Sequence, residues 1–69
     1  MNILRAEQFL NQYGSGDSRL SDVYDDDEML QSALLTLFPD FEYPDFAYRT
    51  MNEIRSLYAR NPRELVPAV

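Results

Sequence analysis

Apolar residues recur at helical spacing in three separate segments of the chain, and glycine or proline interrupts the pattern between them. The three stripes consist of Ile3, Ala6, Phe9, Leu10 and Tyr13, then Leu30, Ala33, Leu34, Leu37 and Phe38, and finally Phe46, Ala47, Thr50, Met51, Ile54, Leu57 and Tyr58. Residues spaced at i, i+3, i+4 and i+7 share one face of an α-helix. The sequence therefore predicts three amphipathic helices that bury these stripes in one core.

The residues between the stripes set the expected helix boundaries. Asparagine and aspartate cap helix N-termini, glycine suits the residue that follows a helix, and proline suits a first helical turn but stops a preceding helix. The residues in these roles are Asn2, Gly14, Asp25 or Asp26, Pro39 and Pro44. They predict an all-α class, a small three-helix domain with helices at about 3–13, 25–38 and 44–60 and an extended C-terminal tail.

Residues 15–24 are expected to form a linker with one short turn, which Ser18 or Ser21 caps. At 69 residues the chain has room for a single small acidic helical domain, 1–69. A chain this short buries only about 60% of its unfolded surface, so we expect its stability to be low.

The amino-acid composition restricts the cellular compartments and the classes of protein that are compatible with this chain. The chain has no cysteine, so a disulfide framework and a thiolate metal site are both excluded. A small domain without disulfides fits a reducing compartment, and we expect a cytoplasmic protein. The N-terminus lacks the features of a signal peptide, and no apolar run approaches about 18 residues, so no membrane segment is predicted.

Acidic residues dominate the middle of the chain. Between Leu20 and Tyr48 there are eight carboxylates and no basic residue. The net charge of −6 disfavours direct binding to nucleic acid or to an anionic membrane, because phosphates attract cations. It favours a protein partner with a basic surface, since complementary charges steer association.

The predicted partner-binding residues lie in this acidic stretch and its aromatics. They are Asp25, Asp26, Asp27, Glu28, Asp40, Glu42, Asp45, Tyr43 and Tyr48. Residues 25–28 have a second interpretation of equal weight, in which they only cap a helix and form its solvated first turn. A helical hairpin could bring residues 40–45 to the same side as this run or leave them at the opposite end.

The loop aromatics and the arginines each have two interpretations. Either Phe41 covers the core as a lid, or Tyr43 and Tyr48 are exposed anchors for a partner. Arg49, Arg55 and Arg60 are expected on a solvated helix face, but they could also pair with the acidic run in a homodimer.

Catalysis and metal binding have little support in the sequence. Neither Asp22–Glu28 nor Asp40–Asp45 contains the glycine that an EF-hand loop requires. The chain has no histidine, cysteine or lysine, which removes the usual bases and nucleophiles. We therefore expect no enzymatic activity, no cofactor and no metal.

The sequence thus predicts a non-enzymatic protein-binding module or inhibitor whose acidic flank docks on a basic partner surface. A nucleic-acid-binding protein is the expected partner, because a row of carboxylates can imitate phosphates. The likeness to nucleic-acid mimics, such as phage or mobile-element anti-host factors, is one of composition only. The alternative is a structural subunit or assembly factor that binds through an apolar helix face, to which Met29 and Leu35 would contribute.

Overall fold

The computed structural model of the protein describes residues 1–60, except for the side chain of Arg60. Within this range the helices are α1 (Ile3–Gln12), α2 (Leu20–Val23), α3 (Glu28–Leu37), α4 (Tyr43–Phe46) and α5 (Met51–Arg60). In the same residues no strand forms, and β-pairing is limited to an isolated antiparallel bridge between Arg19 and Thr50. The predicted all-α class is confirmed: α1 and α3 correspond to the first two predicted helices, and α4 and α5 together cover the third. The predicted extended tail lies outside the described residues.

The core forms around α1 and α3, which pack antiparallel. The hydroxyl oxygen of Thr36 near the end of α3 lies 3.4 Å from the carbonyl oxygen of Met1, and the hydroxyl of Tyr13 after α1 lies 3.4 Å from the carboxylate of Asp27 before α3. The buried side chains are Ala6, Leu10, Leu20, Tyr24, Leu30, Ala33, Leu34, Leu37, Phe41, Met51 and Ile54. Each buried leucine or isoleucine contributes about 1.5–3 kcal/mol, so these few side chains carry most of the stability.

α3 begins later than the sequence predicts. Its N-cap is Asp27, whose carboxylate accepts hydrogen bonds from the backbone N–H groups of Met29 at 2.8 Å and Leu30 at 3.2 Å. Asp25 and Asp26 precede the helix in the left-handed conformation, with φ of 42° and 54°. The prediction that one of them is the N-cap is therefore wrong. Any of three consecutive aspartates can cap a helix, and the tertiary contacts of the turn decide between them.

The predicted third helix is divided into α4 and α5. The carbonyl oxygens of Ala47 and Arg49 accept hydrogen bonds from the backbone N–H groups of Ser21 at 3.0 Å and Leu20 at 2.9 Å. These carbonyls are therefore engaged by the start of α2 instead of a continuing helix. Thr50, which was predicted to lie inside the helix, follows this break and precedes α5.

A capping box then starts α5. The N–H of Thr50 donates to the Glu53 carboxylate at 2.8 Å, and the N–H of Glu53 donates to the Thr50 hydroxyl oxygen at 3.1 Å. This reciprocal pair is the S/T-x-x-E arrangement that begins many helices. At the start of α4, Pro44 occupies the second helical position, one residue later than predicted.

The linker between α1 and α3 contains α2, but neither predicted serine caps it. Arg19 precedes the helix, and its backbone N–H donates to the Asp22 carboxylate at 3.2 Å. Ser18 instead bonds the hydroxyl of Ser15 at 2.8 Å. The short turn was expected, whereas the residues that stabilise it were not identified.

Arg55 does not lie on a solvated helix face, contrary to the prediction. It is partly buried, and its Nη2 group donates to the carbonyl oxygens of Leu10 at 3.0 Å and Tyr13 at 2.9 Å. These carbonyls lie at the carboxyl end of α1, which lacks intrahelical donors and carries partial negative charge. Arg55 thus joins α5 to α1. Arg49 is exposed and lies over the Phe46 ring, 5.8 Å from its centroid.

Candidate functional site

Two acidic segments of the chain run past each other in opposite directions. The start of α2 bonds the backbone of residues 47–49, as described above, and the rings of Tyr24 and Tyr43 lie 4.3 Å apart at the other end. The segments 20–26 and 42–49 are therefore in contact near both ends, through residues 20 and 21 at one end and Tyr24 at the other. We call the exposed acidic side chains on them the acidic surface; they are Asp22, Asp25, Asp26, Glu42 and Asp45.

The remaining predicted carboxylates lie beside this surface or away from it. Glu28 is exposed in the first turn of α3, next to the Asp25–Asp26 turn. Asp40 is exposed in the turn after α3. Since α3 has ten residues, Glu28 and Asp40 are separated along its axis by about 15 Å. The packing of Phe41 and Tyr43 on Tyr24 brings the segment that follows α3 alongside residue 24, whereas Asp40 itself lies in the turn at the carboxyl end of α3.

The fold uses some carboxylates and leaves others without an intramolecular role. Asp22, Asp27 and Glu53 each accept a backbone hydrogen bond at a helix start. Among residues 1–60, no hydrogen bond or ion pair engages the carboxylates of Asp25, Asp26, Glu28, Asp40, Glu42 and Asp45. The capping interpretation therefore applies to Asp27, whereas a contact role for the unpaired carboxylates stays a prediction.

Tyr13 is a residue of this region that the sequence did not single out. Its hydroxyl donates to the carbonyl oxygen of Val23 at 2.6 Å and lies 3.4 Å from the Asp27 carboxylate. Burial raises the pKa of Tyr13 above its usual value, and the negative charge of Asp27 raises it further. The sequence placed this ring in the core stripe of the first helix, and no sequence signal indicated a polar contact for its hydroxyl.

The aromatic residues beside the acidic surface are mostly packed. Phe41 is buried, which agrees with its interpretation as a lid. Tyr43 is half-buried against Tyr24, so it is not the free exposed anchor of the alternative interpretation. Burial raises the pKa of Tyr24, and the charge of Asp26 adds to this shift. Tyr48, by contrast, is 78% exposed, which leaves its ring available to a partner.

Two arginines border the acidic surface near Tyr48. Arg19 donates from Nη1 to the carbonyl oxygen of Tyr48 at 2.7 Å, which fixes the backbone beneath the exposed ring. The same two arginines, Arg19 and Arg49, also act on Glu53. The hydrogen bond from the Thr50 backbone lowers the pKa of Glu53, and the positive charges of Arg49 and Arg19 lower it further. The acidic surface therefore ends at a short basic border, and its uncompensated charge is centred on the Asp25–Asp26 turn and on α4.

A cleft of about 350 Å³ lies elsewhere, between α1, α3 and α5. It is lined by Glu7, Leu10, Asn11, Leu37, Arg55, Tyr58 and Ala59. No group of three potential metal ligands occurs within residues 1–60. In that same part of the chain, every helix is too short or too polar to cross a lipid bilayer.

Comparisons of the chain with protein-family models, with curated proteins and with solved structures find no match. Any function must therefore follow from the chemistry of the surfaces described above. The acidic surface is the part of the molecule where two neighbouring segments carry exposed carboxylates, most of which have no intramolecular hydrogen bond among the described residues.

Proposed function

We propose that this protein is a non-enzymatic protein-binding module, or inhibitor, that docks its acidic surface on a basic surface of a partner. The supporting observation is that exposed carboxylates without an intramolecular role lie on two neighbouring segments. A carboxylate that caps a helix already has its hydrogen bonds, whereas an unpaired one can bond arginine or lysine without disturbing the fold. Charges of one sign on one surface also raise the association rate with an oppositely charged partner.

We further propose that the partner is a nucleic-acid-binding protein. Its nucleic-acid site would present cations that match the phosphates of a duplex, which follow one another on each strand at about 3.4 Å of helix axis. The length of α3, about 15 Å between Glu28 and the turn that carries Asp40, corresponds to roughly four base-pair steps along a duplex axis. Carboxylates at both ends of α3 and along α4 are therefore far enough apart to take the places of several phosphates in the partner's nucleic-acid site.

Tyr48 adds an apolar contact to this charged surface. Its ring is exposed on the segment that also carries Glu42 and Asp45, and Arg19 holds the backbone carbonyl of the same residue. Tyrosine is enriched among residues that dominate binding energies, because it buries a large rigid ring. We propose that Tyr48 is the anchor and that the carboxylates orient the partner around it.

The test compares charge removal at two places on the chain. Asp25→Asn with Asp26→Asn removes two charges from the acidic surface, and asparagine tolerates the left-handed conformation of both positions. The matched control, Glu7→Gln with Asp17→Asn, removes two charges elsewhere. Each protein is immobilised and exposed to a cell lysate at low and high salt, and the captured proteins are identified by mass spectrometry.

We expect a basic protein to be captured at low salt by the wild type and by the control, and to be lost with the Asp25 and Asp26 variant. Tyr48→Ala should also reduce capture and should mainly speed dissociation of the complex. Equal capture by all the charge variants would contradict the proposal.

A structural subunit or assembly factor remains the second candidate, with Met29 as its support. Met29 is 44% exposed and lines a shallow groove of about 190 Å³ with Arg5, Gln8, Phe9 and Gln12. Leu35 is also exposed, at 42%, but it lies six residues further along α3 and therefore about 120° around the helix. The two side chains do not form one face. In the same capture experiment, a partner that stays bound at high salt and is lost with the Met29→Ser variant would favour this candidate.

A further inference from the structure

The Tyr13 hydroxyl contacts both ends of the turn between α2 and α3. Val23, whose carbonyl oxygen accepts its proton at 2.6 Å, is the last residue of α2. Asp27, whose carboxylate lies 3.4 Å from the same oxygen, is the N-cap of α3. A hydroxyl has one proton to donate, so the bond to Val23 is the stronger contact. Between these two contacts lie Tyr24, Asp25 and Asp26.

This turn has a conformation that its residues do not prefer. Asp25 and Asp26 both have positive φ, and L-residues adopt two consecutive left-handed positions rarely. Such a backbone persists only where surrounding contacts hold it. The contacts around the turn are the hydrogen bond from the Asp27 N–H to the Tyr24 carbonyl oxygen at 2.9 Å, the packing of Tyr24 on Tyr43 and the bond of the Tyr13 hydroxyl to Val23.

Tyr13 is itself fixed by two other helices. Its ring packs on Phe9 of α1 with centroids 5.4 Å apart, and its carbonyl oxygen accepts from Arg55 of α5 at 2.9 Å. The hydroxyl therefore approaches the turn from a position that does not depend on the turn. This independence is the property required of a group that holds a second element in place.

We propose that the Tyr13 hydroxyl is a latch that holds residues 24–26 in the left-handed conformation. When the latch is removed, the turn samples other conformations while α1, α3 and α5 remain folded. Asp25 and Asp26 belong to the acidic surface, so the latch also sets where two of its charges point. That consequence rests on the proposed function, whereas the latch itself does not.

The test removes one oxygen atom and measures the turn directly. Tyr13→Phe keeps the ring and its packing on Phe9 but deletes the donor. Tyr48→Phe is the matched control, because it deletes a hydroxyl from an exposed ring. On the full chain, NMR measures amide hydrogen exchange at Asp27 and the intraresidue amide–Hα NOEs of Asp25 and Asp26, which are strong at positive φ.

In Tyr13→Phe we expect exchange at Asp27 to accelerate about tenfold and both intraresidue NOEs to weaken as φ leaves the positive region. Exchange at Leu34 and Ile54 should stay unchanged, and Tyr48→Phe should match the wild type throughout. Unchanged Asp27 exchange and unchanged NOEs would overturn the latch. An equal acceleration at Leu34 and Ile54, or a variant that fails to fold, would also overturn it, because the hydroxyl would then support the whole fold. None of these measurements involves the partner, so the proposed function can fail while the latch stands.

Discussion

The Arg55 side chain reaches from α5 to the carboxyl end of α1, where its Nη2 group contacts the carbonyl oxygens of Leu10, Tyr13 and Gly14 at 3.0, 2.9 and 3.4 Å. Its Nε atom is buried and has no hydrogen-bond partner among the described residues. A buried donor without a partner costs about 1–3 kcal/mol. The residue is retained in this position because the bonds to the α1 carbonyls and the helix dipole offset that cost.

Arg55→Lys should therefore destabilise the protein by about 1–2 kcal/mol, although it keeps the charge. A lysine ammonium cannot place donors on several carbonyls in the planar arrangement of the guanidinium. Arg49→Lys is the control, since Arg49 is exposed and contacts the Phe46 ring. It should change stability by less than about 0.5 kcal/mol. Equal shifts of the urea unfolding midpoint for the two variants would refute this role of Arg55.

The two glycines of the chain provide a second comparison of single residues. Gly14 has φ of +66°, and a Cβ at this position would lie 3.1 Å from the Met51 Cγ and 3.2 Å from the Val23 Cγ1. Gly16 would place a Cβ 3.7 Å from its nearest neighbour, the Cβ of Asn52, which is an ordinary contact.

Gly14→Ala should lower stability by about 1–2 kcal/mol through its left-handed backbone alone, and the two close contacts add to this loss. Gly16→Ala should leave stability unchanged or raise it slightly, because alanine restricts the unfolded chain. Thermal unfolding followed by circular dichroism measures both effects. A Gly14→Ala variant as stable as Gly16→Ala would show that the turn after α1 can adopt another conformation.

At the scale of elements, the start of α5 depends on the Thr50–Glu53 capping box. The hydrogen bond from the Thr50 backbone lowers the pKa of Glu53 below its usual value of 4.5. A carboxyl group whose pKa is lower in the folded state stabilises the fold above its unfolded pKa. This contribution is lost as the pH falls below 4.5 and through the lowered folded pKa.

Glu53→Gln should therefore flatten the acid side of the stability profile. Between about pH 6 and about pH 3, the wild type should lose more stability than the variant, because glutamine does not titrate. Asp40→Asn is the control, since the Asp40 carboxylate has no intramolecular bond among the described residues. It should retain the wild-type slope. The measurement is the urea midpoint at a series of pH values, and equal slopes for Glu53→Gln and the wild type would contradict the role of the box.

The helices themselves were predictable from periodicity, and so were the ends of α1, where Asn2 is the N-cap and Gly14 has positive φ. The start of α3 and the division of the third predicted helix were not. Leu34 and Ile54 lie at the centres of their stripes, and both are fully buried. The division between α4 and α5 was missed because the apolar stripe continues through it, although Thr50 and Glu53 carry a capping-box signature. The carbonyl oxygens that close this break bond residues far away in the sequence, and such pairings leave no local pattern.

The candidate site was predictable only as a composition. The acidic run follows from the sequence, and the exposure of Tyr48 was one of two open interpretations, but the contact between the two acidic segments depends on the packing of Tyr43 on Tyr24. The Tyr13 hydroxyl bond joins residues ten positions apart, and the Arg55 bond to Leu10 joins residues 45 positions apart. Neither contact has a periodic signal, because each depends on how complete helices are arranged.

For the whole molecule, the net charge of −6 opposes compaction. Carboxylates that cap helices offset this repulsion locally, whereas Asp25 and Asp26 form no intramolecular bond within residues 1–60. Two contributions of opposite sign then act at this turn. Repulsion from the neighbouring carboxylates destabilises the fold, and the nearby N-terminus of α3 stabilises it by at most about 0.3–1 kcal/mol for each charge.

The balance between these two contributions separates the two interpretations of the acidic run. The helix-dipole contribution decays within the first turn, and Asp25 and Asp26 both precede the N-cap. We therefore expect Asp25→Asn with Asp26→Asn to raise stability by about 0.5 kcal/mol, since asparagine retains the left-handed backbone and removes the repulsion. The gain should shrink in high salt, which screens the repulsion. Urea unfolding at low and high salt measures it. If the variant is instead less stable than the wild type, these carboxylates support the fold, and the acidic run is a solvated helix start and not a binding surface.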